Sequence, residues 1–128
     1  MPENKDDIDL DGWDLHRAAK EGRVDIAHAL IAHGDDVNAR NRFDETPLHW
    51  AARKNHPEVA RLLIENGGNV DVNGISFTTP LHFVVSVDVA RILMESGANI
   101  EAKNVEGETP LHTAIGQQSY EVARILIE

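Results

Sequence analysis

The sequence predicts an all-α fold, a side-by-side stack of helix–turn–helix units, and three observations lead to it. "TPLHWAA" at 46–52 returns as "TPLHFVV" at 79–85 and "TPLHTAI" at 109–115, with a degenerate copy, "WDLHRAA", at 13–19. The equivalent leucines Leu15, Leu48, Leu81 and Leu111 are spaced 33, 33 and 30 residues apart. A second block follows each copy: "VDIAHALIAHG", "PEVARLLIENG", "VDVARILMESG" and "YEVARILIE". A period of this size signals a repeat architecture. One helical hairpin cannot bury its own apolar face, so successive units must lean on one another to make one core.

The elements follow in order along each unit. Residues 1–7 read as a polar tail, and "MPENKDDIDLD" lacks the apolar stretch of a secretory leader. Asp14 is placed to cap the first helix of copy one. Thr46, Thr79 and Thr109 each precede a proline, which suits a threonine N-cap with proline in the first helical position. The first helix should run about two turns, with small residues such as Ala18, Ala19, Ala51 and Ala52 letting a neighbour come close. A second start signal comes at His56 before Pro57, at Ser86 before Asp88 and at Ser119 before Glu121. The second helix carries apolar residues at i, i+3, i+4 spacing, as in Val59, Leu62, Leu63 and Val122, Ile125, Leu126. Gly34, Gly67 and Gly97 suit left-handed caps at its end. The tails "DDVNAR", "GNVDVN" and "ANIEAK" then read as protruding turns. Glu58/Arg61, Asp88/Arg91 and Glu121/Arg124 are i, i+3 pairs expected on a solvated outer stripe.

These residues closely resemble the ankyrin-repeat family, whose Thr-Pro-Leu-His-x-Ala motif and 33-residue period are both present. The resemblance covers about residues 8–128 as one domain, with repeats about 8–40, 41–73, 74–103 and 104–128. It implies a curved α-solenoid with β-turn fingers set across antiparallel helix pairs, and a partner-binding surface on the concave side. It also implies that His16, His49, His82 and His112, which recur with the period, hydrogen-bond near the cap threonine and the adjoining finger. Copy three departs by being three residues short, a deletion expected to remove the end of its first helix and leave a notch beside Phe83. Its finger "NGISFT" puts Phe77 where a turn glycine or aspartate is usual, so that tip is expected to deviate. The chain reaches Glu128 inside a second helix, where Val122, Ile125, Leu126 and Ile127 are not all expected to be buried. A monomer, or one part of a longer array, is expected.

Composition excludes several function classes. The 128 residues are 41% apolar and 27% charged, without cysteine, and carry a net charge of −10. Disulfides, thiolate metal sites and thiol chemistry are out, and a reducing intracellular compartment, cytoplasm or nucleus, is expected. No apolar run is long enough to span a bilayer. The acidic balance disfavours nucleic acid and anionic membranes. "DIDLDG" at 7–12 is half of a calcium-loop signature. The bidentate glutamate that such a loop needs at its twelfth position is here Ala18, so no metal is expected. Aligned by the leucines, Asp11 occupies the finger-tip position of Asp44 and Gly107. The four periodic histidines lie too far apart to share a zinc ion, and His28, His33 and His56 show no paired spacing. Without a phosphate loop, a G-x-S-x-G elbow or a carboxylate pair in a cleft, neither a cofactor nor enzymatic activity is expected.

The function expected is therefore a non-catalytic protein–protein interaction module that docks a peptide or folded surface. A regulator that inhibits an enzyme by capping it is the alternative, as some four-repeat kinase inhibitors are similar in size. A nucleic-acid binder using the basic residues is less favoured. By the resemblance, the fingers contribute Arg40, Arg42, Phe43, Ile75, Ser76, Val105 and Glu106 to the partner-binding face. The first helices contribute Arg17, Lys20, Trp50, Arg53, Lys54 and Phe83. All six aromatic residues except Tyr120 fall on finger or first-helix positions, and aromatic and arginine side chains are typical interface anchors. Trp50 and Phe83 have a second reading, as padding between adjacent first helices. Six basic residues of the first two units (Arg17, Lys20, Arg40, Arg42, Arg53, Lys54) face only Asp9, Glu21 and Glu45, a local excess that would favour an acidic partner segment. Reversing Arg53 or Lys54 to glutamate is expected to weaken binding without lowering the melting temperature.

Overall fold

A computed structural model of the chain describes residues 8–128; the polar tail 1–7, and with it Asp7 of the calcium-like stretch, lies outside the described residues. Eight helices form four hairpins: α1 (Leu15–Glu21) with α2 (Val24–Ala32), α3 (Pro47–Arg53) with α4 (Pro57–Glu65), α5 (Pro80–Phe83) with α6 (Val87–Glu95), and α7 (Pro110–Gly116) with α8 (Tyr120–Ile127). There is no strand among the described residues. Each hairpin packs on the next, first helix on first helix (α1, α3, α5, α7) and second on second (α2, α4, α6, α8). The fold is an all-α helical repeat. One apolar core runs through it, with Leu48, Leu63, Leu81 and Leu93 fully buried and alanines 18, 19, 51 and 52 at zero exposure where helices touch. Alanine there lets the backbones approach without leaving a void.

The caps form largely as the residues dictate. Thr46, Thr79 and Thr109 cap α3, α5 and α7 with proline next in line, and each is closed into a capping box by the histidine three residues on. Ser86 caps α6 through its side chain, accepting from the Val89 N–H at 3.3 Å, whereas Ser119 begins α8 without such a bond. Gly34, Gly67 and Gly97 follow the second helices with φ of 98°, 94° and 92°. Asp14 caps α1, accepting from the Arg17 N–H at 2.8 Å. Here the register slips by one residue. Asp14 lies directly before Leu15, while Thr46 lies two before Leu48, so the left-handed turn residue of unit one is Gly12 (φ 78°) and not Asp11. Ala18, the twelfth residue of the calcium-like stretch, is buried in α1.

The tails between hairpins end in tight β-turns. Asn41 and Asn104 build two of them identically: the side-chain oxygen accepts the N–H of Phe43 and Glu45 in one, and of Glu106 and Glu108 in the other, all at 2.9–3.0 Å. Finger bases are tied to their neighbours. The Asn38 side chain receives the Asn69 N–H at 2.8 Å and donates to the Gly67 carbonyl at 3.0 Å, and Asp71 receives the Asn99 N–H at 2.7 Å.

Two expectations change and a third holds. Glu58/Arg61, Asp88/Arg91 and Glu121/Arg124 are exposed but are not among the ion pairs joining described residues, which are Arg17–Glu21, Arg23–Asp25, Arg40–Asp44 and Arg53–Glu45. Long side chains in water gain little by holding one geometry. At the far end the four apolar residues are, as expected, not all buried: Val122, Ile125 and Leu126 are, and Ile127 is left at 69% exposure. The deletion in unit three shortens α5 to four residues, as expected, and Val84 leaves the helix in an extended conformation. The hollow that results, about 270 Å³, is lined by Val85, Ser86, Val87, Gln118 and Tyr120, away from Phe83. The turn itself keeps three residues, 84–86, as 54–56 do in unit two, so the three missing residues come from the end of α5 and the hollow opens where that lost helix end would have stood.

Candidate functional site

The periodic histidines organise the face made by first helices and fingers. Thr46 donates its N–H to His49 Nδ1 at 3.1 Å, and His49 Nε2 lies 2.9 Å from the Thr78 carbonyl. A carbonyl only accepts, so Nε2 carries the proton and Nδ1 is the acceptor. His16 reaches the Glu45 carbonyl at 2.7 Å and His82 that of Glu108 at 2.9 Å, so each histidine ties its helix to the next finger. His112 keeps the threonine bonds, and among the described residues no finger carbonyl is bonded to its other ring nitrogen. Burial pushes the His49 imidazole below its usual range, outweighing the Thr78 carbonyl and the Glu45 carboxylate, which favour the charged form. These are structural staples. Among the described residues, no three histidine, aspartate or glutamate side chains gather closely enough to hold a metal ion.

On this scaffold several candidate residues come together in one row. The Lys20 ammonium lies 5.4 Å from the centre of the Trp50 ring, and the Arg53 guanidinium sits 4.8 Å from Trp50 and 4.2 Å from Phe83. Phe83 meets His49 edge-on at 5.8 Å. Lys20 is exposed and both rings are half-buried. Trp50 and Phe83 thus pad the joints α1/α3 and α3/α5 with one side and leave the other side to solvent. Arg53 is less available than its charge suggests. It pairs at 2.7 Å with Glu45, a carboxylate only 5% exposed that sits at the foot of the finger. Lys54 caps the end of α3 and is exposed.

The remaining candidates separate into finger tips and an edge. Phe43 is 53% exposed with the Arg42 guanidinium 5.1 Å above its ring. Ile75, Ser76, Val105 and Glu106 occupy the next two tips, joined by a 2.9 Å bond from the Val105 N–H to the Ser76 carbonyl. Arg40 is pinned between fingers, donating to the Asn73 carbonyl at 2.6 Å and pairing with Asp44 at 3.1 Å. Arg17 pairs with Glu21 and stacks 3.9 Å from the Trp13 ring, at the edge of the row. Three of the six basic residues are thus ion-paired, one of them with Asp44, an acid outside the three set against them. The local positive excess is smaller than the sequence suggested, and it rests on Lys20, Arg42 and Lys54.

A family model of ankyrin repeats, in three copies, matches residues 15–104 and again 75–128. The chain belongs to the ankyrin-repeat family. Ankyrin repeats are generally protein–protein interaction modules, typically non-catalytic. No curated protein matches this chain. Among the described residues of this ankyrin domain, no helix is long and apolar enough to cross a membrane.

One feature escaped the sequence reading. A hollow of about 450 Å³ opens on the outer side of α2, lined by Ile8, Leu10, Val24, Asp25, His28, Ala29, Ala32 and His33. Asp25 is held below the ordinary carboxylate range by its hydrogen bond from Arg23. The signal was present: α2 carries Ala29 and Ala32 where α4 carries Leu62 and Glu65.

Proposed function

We propose that this ankyrin domain is a non-catalytic adaptor that grips a segment of another protein on the concave face implied for its fingers and first helices. The observation that carries the reading is the half-exposed row Lys20–Trp50–Arg53–Phe83 beside three successive apolar finger tips. Aromatic rings already held on one side need little further ordering when a partner covers the other, which favours affinity. Lys20, Arg42 and Lys54 support a partner with an acidic stretch over the first two units, since complementary charge sets orientation and encounter rate. Affinity capture from native lysate, with wild type beside a Trp50→Ala, Lys54→Glu double variant, tests the proposal. Proteins held by wild type and lost from an equally stable variant are the expected result. An unchanged set of captured proteins counts against it.

A further inference from the structure

We propose that the tip of the third finger is a knob that docks an apolar segment of the partner, with an acidic flank toward the second finger and a basic flank toward the fourth. The proposal deepens the concave-face reading and rests on it. Its starting point is backbone strain. Ser76 and Phe77 are both left-handed, with φ of 58° and 59°, in succession. The matching tip positions hold Gly12, Asp44 and Gly107, residue types that tolerate this region, whereas a bulky aromatic residue does so poorly. Phe77 is 57% exposed, so burial inside the domain does not account for it. Strained residues that packing does not explain concentrate at binding sites.

The local cause of the strain is legible. Fingers two and four are braced by the Asn41 and Asn104 side chains, but finger three has Gly74 at that place. A Cβ on Gly74 would come within 3.0 Å of His49 Nε2. Without the asparagine brace the tip winds into a single 3-10 turn, Ile75–Phe77.

The turn's result is a row of apolar groups. Ile75 at 55% and Phe77 at 57% stand between Phe43 at 53% and Val105 at 59%, on three successive tips. Large exposed apolar groups on three successive finger tips, the last two tips joined by the bond from the Val105 N–H to the Ser76 carbonyl, suit an interaction surface on a charged, acidic protein. Arg42 flanks the row beside Phe43 and Glu106 flanks it beside Val105, which fixes the polarity of the occupant. A protein segment matches this chemistry, whereas nucleic acid and anionic lipid would meet Asp44, Glu106 and the net charge of −10.

A random dodecapeptide library selected on the full chain tests the inference. Enriched peptides should combine at least two apolar residues with an acidic residue on one side, and Phe77→Gly should weaken them about tenfold or more. The same substitution should raise the melting temperature by a few degrees, because glycine relieves the left-handed strain. Phe77→Asn, which also tolerates that conformation, should behave alike. Exchanging the flanks, Arg42→Glu with Glu106→Lys, should reverse the charge order among selected peptides. A lowered melting temperature, unchanged affinity, no enrichment, or binding to anionic lipid vesicles in place of peptides would each overturn the knob. Peptides that lose affinity with Trp50→Ala but not with Phe77→Gly sink the knob and leave the concave-face reading standing. Peptides indifferent to both, yet weakened by Val24→Ser in the hollow beside α2, sink the two together.

Discussion

His49 shows how one residue type serves the scaffold and responds to pH. Its two ring nitrogens are satisfied only when the imidazole is neutral, because protonating Nδ1 would set a proton against the Thr46 N–H. Folding therefore lowers its pKa, with burial as the main cause, and the unfolded chain binds more protons below about pH 6.5. Stability from this group is complete above that pH and is lost as pH falls toward the depressed folded value. Urea midpoints should be flat from pH 8 to 7 and decline below about 6.5, with a shallower decline in His49→Gln. Arg53 corrects a reading based on charge alone. Arg53→Glu places a second carboxylate beside buried Glu45 and should cost about 1–3 kcal/mol, seen as a lower melting temperature. Lys54→Glu, on an exposed cap without a described ion pair, should stay within about 0.5 kcal/mol and affect binding only. The pairing of Arg53 with Glu45, eight residues earlier, was hidden because Glu45 lies at the foot of the finger and Arg53 at the end of α3, not on one helix face.

At the scale of elements, α5 is the weak member. Its four residues provide almost no internal helical bonds, while α3 and α7 run to seven. Amide exchange should be at least about tenfold faster across 82–86 than across 50–54, and equal protection would mean that tertiary packing compensates fully. The shortening could be read from the 30-residue spacing of Leu81 and Leu111, and the place of the deletion from Ser86. The cap of α1 was legible as Asp14, but the tip position before it was not, since "WDLH" lacks the Thr-Pro pair that marks the others and only backbone geometry separates Gly12 from Asp11. The α1–α2 turn shows the same limit. Gly22 has φ of 72°, and a Cβ there would meet the His56 ring of the next unit at 2.5 Å, a contact 34 residues away that no local pattern announces.

For the whole molecule, stability is a sum of units and nearest-neighbour junctions. Each internal junction has a histidine-to-finger bond and a buried apolar seam. On the face that unit four turns away from unit three, His112 lacks that bond, and Ile115 and Ile127 are 52% and 69% exposed. Fusing one more unit, a copy of 33–65, in register behind Glu128 should supply a finger for His112. One hydrogen bond and two buried isoleucines correspond to about 3 kcal/mol, enough to raise the melting temperature by about 5 °C or more. No rise would mean that the exposed face is not built to receive a unit.

The sequence by itself determined the all-α stack, its stride, the caps of α3, α5 and α7, the short third unit and the family, because each is carried by local patterns that repeat. Tertiary structure alone decided which basic residues remain available, that Arg53 serves Glu45, that Trp50 and Phe83 share a cation, and that the third tip bends its aromatic residue outward. These depend on what a neighbouring unit places within a few ångströms, and a periodic sequence repeats its residues without stating which of them meet.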